Sequence, residues 1–380
     1  KPARASQTRE IAMDLRRFCV SSHRPSHRCA NHVIAPPPLR LPSLMRTPWW
    51  LLIMSLTLCC FSSSASRVEG TCSWDKAVAE QLDPHGGRHF TVASVSAAFE
   101  KLSKVWGSLL ITIRDGALGI RRSEAFNHKV HDRRERWVRS ALLNVSASLP
   151  DTTFILSLQD CIPPKELVPE LGDILFFAST WSSDRTALAF PITVNSYFGE
   201  IGDIDENIQY LKTCGTDSSW EQKRAPAFYR GTVRPDVPER ERVFEAGDLF
   251  PDVVDAVEND RVSLCDQLSK HQHLLYVPGW CGWSGTLLPL MLSGGALFAV
   301  ETGKRQFIQL ELVPSQDYIP IEASSDAPEI ARVVRRASAE PKEMRRVSEN
   351  LRSKAARLLN LKCIGNYISR LVTTYTEHLV

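Results

Sequence analysis

The chain has 380 residues, enough for two domains of ordinary size, each with its own core. With 43% apolar, 23% charged and 8% aromatic residues it has the composition of a globular protein. The formal net charge of +3 is misleading: residues 1–44 hold eight Lys/Arg against two Asp/Glu, so the rest of the chain sums to −3 and leaves no basic footprint for nucleic acid.

Residues 1–44 are rich in Arg, Ser and Pro and read as an unstructured leader, either outside the translated protein or a cytoplasmic tail. Residues 45–65 read as a signal peptide or signal-anchor. Met45 and Arg46 precede a 13-residue, mostly apolar stretch, Trp49 to Phe61, and small residues follow at Ser63 and Ala65. The stretch is short of the ~20 residues of a spanning helix, so the membrane is a partner only if it stays uncleaved.

Val92, Val95, Phe99, Leu102 and Trp106 recur at helical spacing, followed by a strand at Leu109–Ile113 and an Asp115-Gly116 turn. Arg134–Ser148 reads as a helix, Thr153–Leu158 as a strand ending at Asp160, and Ile174–Ala178 as a buried strand. Farther on, Glu239–Phe250 is expected helical, His273–Val277 extended, Thr286–Leu292 helical and Ala296–Val300 extended. Three helices follow, at Ile330–Ala337, Glu343–Leu361 and Ile364–His378. Strands alternating with helices over this length predict two parallel α/β sheets, with a boundary near Ser196–Thr216.

Six cysteines follow the apolar stretch: Cys72, Cys161, Cys214, Cys265, Cys281 and Cys363. The even number suits an oxidising lumen, but six cysteines allow 15 pairings. None has the CxxC spacing of a zinc site. Asn144-Val145-Ser146 is a glycosylation sequon.

The stretch from Gly279 to Gly285 is Gly-rich, holds Ser284, and precedes an apolar helical run. Backbone N–H groups and a helix dipole converge there, which suits a phosphate-bearing ligand. Asp160, at the C-terminal end of a strand, fits either a general base or a loop-capping aspartate. Thr232, Arg234, Arg240 and Arg242 follow the extended Ala227–Gly231 piece. They suit diphosphate contacts, or a solvated helix start. Asp203-Ile204-Asp205 matches a metal-holding pattern or is a chance match in an acidic loop. His271 and His273 read as structural.

Four blocks, in order, resemble the protein O-glucosyltransferase (Rumi-like) family, which also contains the capsule-associated xylosyltransferases of fungi and is glycosyltransferase family ninety. They are LPDTTFILSLQD, FYRGT with the later PER, GWSGTLLPLMLSGGALF, and DYIPI, spread over Leu109 to Leu379. The resemblance implies a GT-B-like α/β fold: two Rossmann-like domains with a cleft between them. It places an acceptor-side domain at 66–205, a UDP-sugar-binding domain at 206–362 and a C-terminal helix at 363–380. It implies inverting transfer from a UDP-sugar to a protein or glycan hydroxyl, with no metal or other cofactor, in the ER or Golgi lumen. Asp160 falls on the family's catalytic base. Arg230, Gly231, Thr232, Arg240 and the loop Cys281, Gly282, Trp283, Ser284, Gly285 and Thr286 fall on its donor-binding positions. Three positions depart: Thr286 replaces a phosphate-binding Arg, Pro278 an Asp, and Asp317 a His. Lys304, Arg305 and Arg234 are candidates to restore the charge lost at Thr286. A catalytically inactive family member that binds glycans or glycoproteins is the alternative.

Overall fold

The computed structural model describes residues 72–380, apart from 165, 168, 183–185, 195–203, 214–218 and 259–267. The expected leader and signal segment, Cys214, Cys265 and Asp203, and the side chain of Asp205, lie outside what is described. Among the described residues no helix is long and apolar enough to cross a membrane.

The first helices are Asp75–Leu82 (α1) and Val92–Ser103 (α2). Thr91 caps α2 with a reciprocal Ser94 box, and Val95, Phe99 and Leu102 form its buried stripe. Strand β1, Ser108–Arg114, turns back at Asp115 and Gly116 into β2, Ala117–Arg122. Both turn residues have positive φ, 49° and 74°, as a two-residue hairpin with right-handed twist requires. Helix α3, His128–Leu143, leads to β3 (Thr152–Ser157), β4 (Phe176–Ala178), β5 (Trp181–Ser182) and β6 (Ala187–Ala189).

The first sheet has the order β2-β1-β3-β4-β6. Only β3, β4 and β6 run parallel; β1 is antiparallel to both its neighbours. This corrects the expectation of two parallel sheets: the tight turn at Asp115-Gly116 forces a hairpin where a crossover was assumed.

Helix α4, Ile204–Thr213, occupies the stretch expected to be a boundary. The second sheet is built from β7 (Ala227–Gly231), β8 (Val254–Glu258), β9 (His273–Tyr276), β10 (Ala296–Glu301) and β12 (Ile319–Glu322). Its order is β12-β10-β9-β7-β8, and every pair is parallel. The inner strands β9 and β10 read as apolar runs because both faces are covered. Leu275, Val277, Phe298 and Val300 pack under α5 (Pro238–Leu249) and the later helices α7 (Ala327–Ser338) and α8 (Pro341–Leu358). Leu274, Tyr276, Leu297 and Ala299 face the other core, with the short helix α6, Leu287–Leu292. Strand β11, Lys304–Arg305, pairs with β5, so a small ladder joins loops of the two halves. The last helix, α9 (Leu361–Thr376), packs on the first sheet, where Tyr375 meets Phe154 and Phe177.

The fold is thus α/β with two Rossmann-like sheets. Among the described residues two disulfides close it, Cys72–Cys363 and Cys161–Cys281.

Candidate functional site

Open α/β sheets bind ligands beyond the carboxyl ends of their strands. In the second sheet those ends are Gly231 on β7, Tyr276 on β9 and Glu301 on β10. At the first, Gly231 leaves no room for a side chain, because a Cβ would lie 2.2 Å from the Tyr229 hydroxyl. Arg230 and Thr232 flank it, both half-buried. Arg240 stands in the first turn of α5 and donates from Nη1 to the Thr232 carbonyl at 3.4 Å. Its Nε is buried without a hydrogen-bond partner. No carboxylate pairs with the guanidinium among the described residues. The same charge opposes the burial that pushes the Tyr229 hydroxyl up to about 12. A shielded cation with donors to spare is a site for an anion.

The loop after β9 closes on this cation. A Cβ on Gly279 would come 3.6 Å from Arg240 Nη2 and 2.6 Å from the Trp283 carbonyl, so only glycine permits the approach. Gly282 takes φ +84° and carries the Lys304 stem against it, where a Cβ would meet Lys304 Cβ at 2.3 Å. The Lys304 side chain is exposed and has no ion pair among the described residues. Beneath the loop, the Ser284 amide and Gln306 Nε2 both donate to the Tyr276 hydroxyl, at 3.2 and 3.1 Å, and Gln306 Nε2 also donates to the Ser284 carbonyl. Thr286 and Ser284 hydroxyls bond each other at 3.0 Å. Gly285 completes the turn into α6. That helix has only six residues, all buried, so the dipole expected at this point is a short one.

Asp160 lies just past β3, and its side chain is 56% exposed. Its carboxylate pairs with Arg134 of α3, whose Nη1 also donates to the Leu158 carbonyl. Its carbonyl accepts from Ser179 Oγ at 2.7 Å and from Trp283 Nε1 at 3.1 Å. The structure therefore brings Asp160 beside the glycine loop, with the Arg134 guanidinium 5.9 Å over the Trp283 ring. Trp280, 52% exposed, stands on the same loop. Cys281 is bonded to Cys161, so its sulfur is no free ligand contact.

The candidates for lost charge separate clearly. Arg305 pairs with Glu80 at 2.7 Å and Arg234 with Asp236 at 3.3 Å, whereas Lys304 stays available beside the loop. Asp317 is structural: it is buried, accepts from the Val313 amide at 2.8 Å and pairs with Lys354. Burial lowers His271 and His273 below the ordinary imidazole value, and His273 Nδ1 bonds the Ala225 carbonyl, as structural histidines do. Asn144 is exposed at the end of α3, away from these contacts. Among the described residues no group of three His, Cys, Asp or Glu could hold a metal ion. Arg134, Tyr276 and Gln306 escaped the sequence reading. Arg134 lies in a helix, Tyr276 ends a strand and Gln306 caps a 3-10 turn, and nothing in their spacing marks a site.

The model of glycosyl transferase family 90 matches residues 122–380. No curated protein sequence matches. Among solved structures, sucrose-phosphate synthase from Thermosynechococcus elongatus is similar at 17% identity over 38% of this chain and 37% of that one, with a TM-score of 0.28. TarM is similar at 9% identity over 40% and 35%, with a TM-score of 0.32. A glycosyltransferase from Rickettsia africae is similar at 10% identity over 57% and 68%, with a TM-score of 0.31. The chain spans little more than a third of the first two, and no residue role is taken from any of the three.

Proposed function

Because the chain belongs to glycosyl transferase family 90, we propose that it moves glucose or xylose from a UDP-sugar to a hydroxyl of a protein Ser/Thr or a glycan, with inversion and without a metal. The observation that carries this reading is Arg240: a half-buried guanidinium with no carboxylate partner among the described residues, pressed against a glycine loop at the strand ends. A diphosphate would satisfy it. In the proposed reaction the Asp160 carboxylate takes the acceptor hydroxyl's proton, and the freed oxygen attacks the anomeric carbon. The bond from that carbon to the β-phosphate oxygen breaks, and its electrons leave with UDP. Arg240, Lys304 and loop amides neutralise the departing charge, the task a cation performs elsewhere.

The secretory reading is supported by the signal-like segment, the exposed Asn144 of the sequon and two disulfides. One observation favours the second reading, a family member that binds glycans or glycoproteins without transfer. Thr286 offers no charge, and its hydroxyl is turned to Ser284.

Thermal melting with UDP, uridine and UDP-glucose tests the donor site. UDP at about 100 times its Kd should stabilise the protein by ~2.7 kcal/mol. Uridine should shift the melt far less, and Arg240→Gln should abolish the difference. Equal shifts for uridine and UDP would refute a diphosphate site.

A further inference from the structure

The two disulfides sit in different settings. Cys72–Cys363 ties the start of the described chain to α9. Cys161–Cys281 ties the residue after Asp160 to the glycine loop, with Cα atoms 4.6 Å apart. Weaker contacts follow the same seam. Trp283 Nε1 donates to the Asp160 carbonyl, the Thr180 hydroxyl donates to the Cys281 carbonyl at 3.3 Å, and Ser182 pairs with Lys304 across the β5–β11 ladder.

The Asp160 carboxylate itself is mostly exposed and has Arg134 as its side-chain partner. Its place is set by Arg134 and by its own backbone, and that backbone is fastened to the glycine loop. Tyr276 at the end of β9 and Gln306 beyond β11 hold the loop at Ser284 instead. The base and the donor contacts are thus supported separately and joined covalently at one point.

We propose that Cys161–Cys281 is a positioning disulfide, which fixes the reach between the Asp160 carboxylate and the donor loop and so sets the turnover rate without contributing to donor binding. The inference rests on Asp160 being the base. A dithiol reductant would break the S–S bond, giving two thiols and taking two electrons and two protons from the reductant, which itself closes to a disulfide. With the bond open, the base is held against the loop only by non-covalent contacts: the Trp283 and Thr180 hydrogen bonds, the Arg134 guanidinium over the Trp283 ring, and the β5–β11 ladder. A displacement on the order of 1 Å costs about 100-fold in rate.

The test compares wild type with Cys161→Ala/Cys281→Ala, reading UDP release from UDP-glucose and UDP-xylose, the Kd for UDP by calorimetry, and the melting temperature. The expected result is a kcat lower by about 10- to 100-fold with the Kd for UDP unchanged. A second arm needs no variant: wild type is titrated with a phosphine or dithiol reductant, alkylated and mapped by mass spectrometry. Activity should fall in step with cleavage of Cys161–Cys281 and return on reoxidation. A folded double variant with wild-type kcat overturns the inference, and so does activity that tracks cleavage of Cys72–Cys363 alone. If the double variant does not fold, the titration decides by itself. Wild type that binds UDP but releases none from either donor overturns the transferase reading and the inference with it.

Discussion

Arg240 and Lys304 carry the same charge in opposite settings. Arg240 has lost part of its hydration and has an unpartnered Nε, so its interaction with a phosphate is little screened. Lys304 lies in solvent with its stem across Gly282, so salt and water weaken whatever it contributes. Lys304→Ala should weaken UDP binding by about 3- to 10-fold at low salt, a loss that shrinks as salt rises, with uridine binding unchanged. Calorimetry over a salt series checks this, and a salt-independent or absent loss would remove Lys304 from the site. Sequence marked Arg240 as the last residue of PER, and it marked Lys304 only as one of three candidates. What separates the three is pairing with Glu80 and Asp236, and the Glu80 pair joins residues far apart in the chain.

Gln81 shows how elements that are distant in sequence depend on one another. Fully buried on α1, it donates from Nε2 to the Ala77 carbonyl and to the Tyr367 hydroxyl of α9, each at 2.9 Å. Its Oε1 accepts from the Ala189 amide of β6 at 2.6 Å. Gln81→Leu would keep the volume and strand the β6 amide. The expected cost is about 2–4 kcal/mol, measured by denaturant unfolding, with UDP affinity unchanged. A loss below about 0.5 kcal/mol would mean the network is not a joint. Element boundaries followed periodicity well for α2, β1, β3, β10 and α7. β2 went unread because its alternation is carried by only two half-buried residues, Leu118 and Ile120, with Gly119 between them and two arginines after. The two-residue β5 and β11 carry no periodicity at all and exist only by pairing with each other.

At the scale of the whole molecule, the alternation of strands and helices revealed two sheets, whereas the covering of β9 and β10 on both faces is seen only in the structure. The mixed first sheet and the fastening of Asp160 to the glycine loop were not visible in sequence. The first depends on a hairpin's direction, and the second on one choice among the possible cysteine pairings. Both matter to the proposed function, because together they set the Asp160 carboxylate beside the glycine loop. The most direct test is the rate of UDP release from UDP-glucose and UDP-xylose by wild type and by Asp160→Asn, each first shown to bind UDP. The account predicts release by wild type from at least one donor, and a rate at least about 100-fold lower for the variant at the same UDP affinity. Equal rates in the two proteins, or UDP binding without release by either, would contradict it.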